Sequence, residues 1–204
     1  MGFFISLAFG QIPIAYGQSE GNTNDEFTTI TDGIYSFSVP VSWREMTDHE
    51  LGVFKHQYEQ QSAELFEQYH ERAEGYESGV RFIVGFFSPK QEVTFILLVM
   101  KIPSQTSGYL QQMYVRSKDV IEWGKAQGRV RKSFRNELTN VNGVPALETD
   151  LEMGDGSRMV GYSIYSDDHP DETVQVTLLF IPGTYPEYST ERSRILGSLQ
   201  RNEK

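Results

Sequence analysis

Asn142-Gly143-Val144-Pro145-Ala146-Leu147-Glu148-Thr149-Asp150-Leu151-Glu152-Met153-Gly154-Asp155-Gly156-Ser157 carries a turn signal at each end of one extended run. Asn-Gly is the strongest short hairpin signal, because both central positions of a tight two-residue turn require positive φ. Gly154-Asp155-Gly156-Ser157 is a second turn of the same kind. Val144 to Met153 is therefore expected to be a strand with antiparallel neighbours on both sides, over residues 130–140 and over Met159–Tyr165. After the polar loop Ser166–Glu172, Thr173 to Ile181 supplies one more apolar strand. Strands in series joined by short turns make an antiparallel meander.

Outward from the meander, Val93-Thr94-Phe95-Ile96-Leu97-Leu98-Val99-Met100 is nearly all apolar, as a strand buried on both faces must be. Val80 to Phe87 reads as its neighbour. Nearer the N-terminus Tyr35, Phe37 and Val39 alternate with Ser36, Ser38 and Pro40, the period of two of a half-buried strand, and Pro40 ends it or marks an edge. Three helices are expected. Residues 49–76 repeat Leu51, Phe54, Tyr58, Leu65, Tyr69 and Ala73 at helical spacing before Gly75. Residues 108–127 turn Leu110, Met113, Tyr114, Val120 and Ile121 inward, with Ser107 as cap and Gly128 as stop. Thr184-Tyr185-Pro186-Glu187 has the form of a capping box ahead of a closing helix with Tyr188, Arg192, Ile195, Leu196 and Leu199 on its spacing. The fold class is α+β, a central antiparallel sheet flanked by helices.

The first seventeen of the 204 residues hold no charged side chain, and Gly2-Phe3-Phe4-Ile5-Ser6-Leu7-Ala8-Phe9 is apolar. Ala15-Tyr16-Gly17 has small residues at the two positions a signal peptidase reads. The expectation is a signal peptide over 1–17, a flexible linker over 18–31 and one domain over 32–204, in an exported protein. The basic start usual for such a signal is missing, Arg44 being the first basic residue. The apolar run is shorter than a membrane span, which needs about 20 residues, so no stable span is expected after cleavage. With no cysteine, disulfides, thiolate metal sites and a thiol nucleophile are excluded. A net charge of -10 disfavours nucleic acid as a partner.

Asp167, Asp168, His169, Asp171 and Glu172 put four carboxylates and an imidazole in one loop, a donor set suited to Ca²⁺ or Zn²⁺, although the spacing fits no EF-hand and Pro170 stiffens the middle. The competing reading is a solvated hairpin loop in an acidic protein. Glu67, His70, Glu71 and Glu74 share one helix face, and His49 and His56 lie seven apart, yet neither set has matching ligands elsewhere. Arg129, Arg131, Lys132 and Arg135 make one early strand basic, either facing a partner or guarding an edge. The tyrosines and Trp43 and Trp123 are read chiefly as core residues with polar tips. No nucleophile elbow and no phosphate-binding Gly-rich loop occurs, so no catalytic residues are assigned and an enzyme is not expected.

Gly33-Ile-Tyr-Ser-Phe-Ser-Val-Pro-Val-Ser-Trp43 resembles the entry strand of the PsbP/Mog1-like superfamily, Ile195-Leu-Gly-Ser-Leu199 is similar to its closing helix, and Asn142-Gly143-Val144-Pro145 falls where that family has its central meander. The likeness spans residues 30 to 200, with the helix over 49–76 as an insertion. It implies a noncatalytic binding or assembly module without cofactor. The PsbP branch contains extrinsic subunits of photosystem II and the Mog1 branch binds a nuclear GTPase, and neither role carries over by residue. The leading functional expectation is an exported module contacting a protein or cell-envelope component. The alternative is a small-molecule or metal-ion binding protein with a pocket between sheet and helices. A flat patch of exposed aromatics would favour the first, a deep cleft with converging polar groups the second.

Overall fold

Ten strands and three helices make up the described part of the computed structural model, which comprises residues 26–32, 35–56, 80–101, 108–166 and 168–202. A three-stranded sheet orders β1 (Phe27–Asp32), β2 (Tyr35–Pro40) and β10 (Gln200–Arg201) as β1-β2-β10. The larger sheet contains β3 (Arg44–Glu45), β4 (Val80–Phe87), β5 (Val93–Lys101), β6 (Val130–Val141), β7 (Val144–Met153), β8 (Arg158–Tyr165) and β9 (Glu172–Phe180). Its order is β3-β4-β5-β9-β8-β7-β6, and every pairing is antiparallel. The meander thus forms as expected, and its last strand returns to pair with β5, placing the most apolar strand well inside the sheet.

The alternation of β5 divides the interior. Val93, Phe95, Leu97 and Val99 face the small sheet, where they join Phe37 and Phe86 in the largest core. Ile96, Leu98 and Met100 face the other way and pack with Met46 and Phe54. Phe54 belongs to α1, described over residues 48–56, which begins the helix expected over 49–76. Leu65, Tyr69 and the rest of that expectation lie outside the described residues. α2 (Tyr109–Ala126) covers β6 and β7 through Met113, Val120 and Ile121, which meet Leu147, Leu151 and Met159. α3 (Ser189–Ser198) lies against β2 and buries Ile195.

Local chemistry decides several boundaries differently from expectation. Residues 27–31, placed in a flexible linker, form β1. Its β-branched residues suit a strand, and Phe27 and Ile30 pack against the main core while the register Phe27↔Pro40 to Asp32↔Tyr35 covers one side of β2. Thr184 does not cap a helix: its hydroxyl donates to the Ile181 carbonyl at 3.0 Å, and Tyr185–Tyr188 is a 3-10 turn before α3. A capping box does form at α1, where the Thr47 amide donates to Glu50 Oε2 at 2.8 Å and the Glu50 amide donates to Thr47 Oγ1 at 3.3 Å. Arg44 grips the same carboxylate at 2.8 and 2.9 Å, and chiefly for that reason the Glu50 carboxyl is lowered to about 2. At the β6–β7 hairpin Asn142 (φ 52) and Gly143 (φ 84) take the positive φ values that the turn demands. The β7–β8 turn packs closely on the end of α2: the Gly154 amide donates to the Arg129 carbonyl at 2.8 Å, and a Cβ at Gly154 would strike the Gly128 carbonyl oxygen.

Candidate functional site

Between the two sheets, where β10 and the start of β2 approach the β8–β9 loop and the β6–β7 hairpin, a cavity of about 440 Å³ opens. Its floor is apolar: Val141, Val144, Ile164, Val174 and Leu199. Its walls carry Asn142, Ser166, Asp168, His169 and Gln200, together with the group Tyr35, Glu172 and Arg201.

Each of these three is placed by strand geometry. The alternation that sends Phe37 and Val39 into the core sends Tyr35 inward as well, leaving it 5% exposed. β10 pairs with β2 in the register Arg201↔Tyr35. Glu172 opens β9 on the face that Val174 and Val176 share. The Tyr35 hydroxyl donates to Glu172 Oε1 at 2.8 Å, and Arg201 Nη1 donates to the same oxygen at 2.6 Å and to the Tyr35 hydroxyl oxygen at 2.9 Å. Burial, then the bond to and charge of Glu172, hold the Tyr35 hydroxyl well above the ordinary tyrosine range, with Arg201 opposing. One side of each charged group stays open, since Glu172 Oε2 and Arg201 Nε and Nη2 have no hydrogen-bond partner among the described residues. The Asn142 side-chain amide donates to the carbonyls of Leu196 at 3.1 Å and Leu199 at 2.6 Å, tying the β6–β7 hairpin to the end of α3 and so to β10.

A second polar group lies on the same face of the large sheet, toward β6. Glu148 and Asp150 on β7 are buried. Glu148 accepts from the Tyr162 hydroxyl at 2.9 Å and from Arg135 Nη1 at 3.3 Å, while Arg158 donates two 2.7 Å bonds to Asp150, with its guanidinium over the rings of Phe134 and Tyr185. These charges are matched within the group, which marks it as an internal prop under the outer strand.

Solved structures share this fold at low sequence identity. The chain resembles the solution structure of cyanobacterial PsbP (CyanoP) from Synechocystis sp. PCC 6803, with a TM-score of 0.54 at 12% identity, covering 91% of this chain and 98% of that one. It also resembles the crystal structure of LpqN, involved in cell envelope biogenesis in Mycobacterium tuberculosis, with a TM-score of 0.50 at 9% identity, covering 89% and 93%. The chain has the PsbP/Mog1-like fold. The Ran-binding protein Mog1p of Saccharomyces cerevisiae matches more loosely, with a TM-score of 0.43 at 7% identity over 88% of this chain and 96% of that one. No family model and no curated protein matches the sequence.

On this PsbP/Mog1-like frame the acidic loop is partly drawn into the cavity. Glu172 points inward, Asp168 is exposed at the rim and His169 is half-buried beside it. Asp171 is exposed and does not line the cavity, and Asp167 lies outside the described residues. No three His, Asp or Glu side chains among the described residues converge on a metal-sized site. Glu172 already faces a cation in Arg201. His49 and His56 are exposed on α1, and Glu67, His70, Glu71 and Glu74 lie outside the described residues. Of the basic stretch, Arg131, Lys132 and Arg135 lie on β6, the outer strand of the large sheet, where Phe134 and Leu138 are also exposed, and Arg129 immediately precedes it. Tyr35, Trp43, Tyr109, Tyr162 and Tyr165 are buried in the cores, whereas Tyr58, Tyr69 and Tyr76 lie outside the described residues. Tyr35, legible in the sequence only as one residue of a half-buried strand, and Arg201, which had no signal there, are 166 positions apart and meet through the β2–β10 pairing.

Proposed function

We propose that this protein is a noncatalytic binding module, exported from the cytoplasm, that holds a small envelope-side ligand in the cavity between its two sheets. The cavity carries the reading: about 440 Å³ lies within the range of small-molecule sites, roughly 300 to 1,000 Å³, and an apolar floor faced by a few polar groups is their usual composition. Binding fits the cavity chemistry better than catalysis does. Glu172 is engaged by hydrogen bonds from Tyr35 and Arg201, and burial with Glu172 beside it binds the Tyr35 proton more tightly than in a free tyrosine, so Tyr35 is not poised to give up a proton near neutral pH. The likeness to LpqN, a protein of cell envelope biogenesis, supports the compartment, as does the apolar N-terminal run.

A second reading, a protein partner on β6, has one observation in its favour. Phe134 and Leu138 are 40% and 45% exposed beside Arg131, Lys132 and Arg135 on the open edge of the sheet.

A metabolite library scored by amide chemical shifts separates the two. A hit should move cavity residues such as Asn142, Ile164 and Val174 and leave β6 ahead of Val141 unmoved. Val144→Trp, which fills the cavity from the half-buried hairpin, should abolish the shift while the protein stays folded. Binding that survives Val144→Trp and is lost with Phe134→Ser would instead place the site on β6. Export has its own measurement: mass spectrometry of the natively produced protein should find Gln18 or a close neighbour at the N-terminus, and an intact Met1 in the cytosol would exclude it.

A further inference from the structure

Resting on the cavity reading above, we infer that the ligand is a small zwitterion with an apolar side chain, a free apolar α-amino acid. Among the open polar atoms of the wall is one adjacent pair of opposite charges: Glu172 Oε2 and Arg201 Nε and Nη2, without hydrogen-bond partners among the described residues, on side chains joined through Glu172 Oε1 and Arg201 Nη1 at 2.6 Å. A simple anion drawn to the guanidinium meets the Glu172 charge, and a simple cation drawn to Glu172 meets Arg201. A ligand that carries both signs side by side satisfies both, its carboxylate on the fork of Arg201 and its ammonium on Glu172.

The exposed Asp168 carboxylate at the rim and the overall charge of -10 work against a ligand of net negative charge. Next to this ion pair the floor of Val144, Ile164, Val174 and Leu199 offers apolar surface for a side chain and no charge. Burial of a branched aliphatic or aromatic side chain there supplies affinity, while the paired charges fix orientation.

Three probes with one hydrocarbon body test the assignment: L-leucine, 4-methylpentanoate, which lacks the ammonium, and isoamylamine, which lacks the carboxylate. Titrated by calorimetry and amide shifts, leucine should bind at least ten-fold more tightly than either. Glu172→Gln and Arg201→Gln should each weaken leucine at least ten-fold and abolish its advantage over the analogue that keeps the remaining charge. Arg201→Lys, which keeps the charge without the fork, should weaken it less, and it stands in if Arg201→Gln does not fold. Equal affinity for the three probes, or no binding of leucine, overturns the amino-acid assignment. The library experiment with Val144→Trp remains the separate test of the cavity itself.

Discussion

Phe37→Ala should lower stability by about 3 to 5 kcal/mol, the usual cost of truncating a fully buried aromatic side chain. Phe37 is 0% exposed and is the point where the two sheets lock, with its ring 5.4 Å from that of Phe95 and edge-on to Phe86 at 6.2 Å. Phe95 and Phe86 belong to β5 and β4, so the ring joins the small sheet to two strands of the large one, and its removal leaves a hole inside the largest core. Against a total of about 5 to 15 kcal/mol the loss is severe, and it should appear as a lower urea midpoint with an unchanged slope. Phe134→Ala, on the outer strand and 40% exposed, is the control and should cost well under half as much. A Phe37→Ala midpoint within error of the Phe134→Ala midpoint would show that the two sheets are not held together by this core.

Arg158→Met should cost about 3 kcal/mol by a different route. Asp150 is 2% exposed and accepts two side-chain hydrogen bonds, both from Arg158, so removal of the guanidinium leaves a buried carboxylate without a counterion. The Arg158 side chain is 23% exposed, which sets the expectation at the low end for a buried pair. A double variant distinguishes an uncompensated charge from lost packing against Tyr185 and Phe134. Asp150→Leu with Arg158→Met should recover most of the stability, because no charge is then stranded. A single variant that is no less stable than the double would mean that the guanidinium acts only as a stacked plate.

The large sheet was legible because its information is local. Asn142-Gly143 and Gly154–Ser157 dictate their turns through backbone geometry, and Val93 to Met100 is too apolar to stand anywhere but inside. The small sheet was not, because β1 and β10 are strands by virtue of what they pair with. Thr28 and Thr29 look as much like linker as strand until β2 offers an open side, and two residues carry too little pattern to announce β10. The same reason hides the cavity. Asp168, His169 and Glu172 drew attention through their composition, which suggested a metal, whereas the partners that give Glu172 its role come from either end of the described chain. Thr184 and Thr47 show the limit of motif reading in the other direction: each stands three residues before a glutamate, and only Thr47 is followed by a helix start that its hydroxyl can reach.

The Arg201–Tyr35 bond closes a loop of 166 residues. Hairpins such as β6–β7 and β7–β8 need only a turn to find their partners, while a contact at that separation must wait until the chain between is already compact. The polar wall of the cavity is therefore among the last parts of the molecule to be completed. A ligand that requires that wall engages only finished molecules, and by mass action it withdraws them from the unfolding equilibrium. Where proteases remove whatever lingers unfolded, such a ligand would lengthen the lifetime of the protein that holds it.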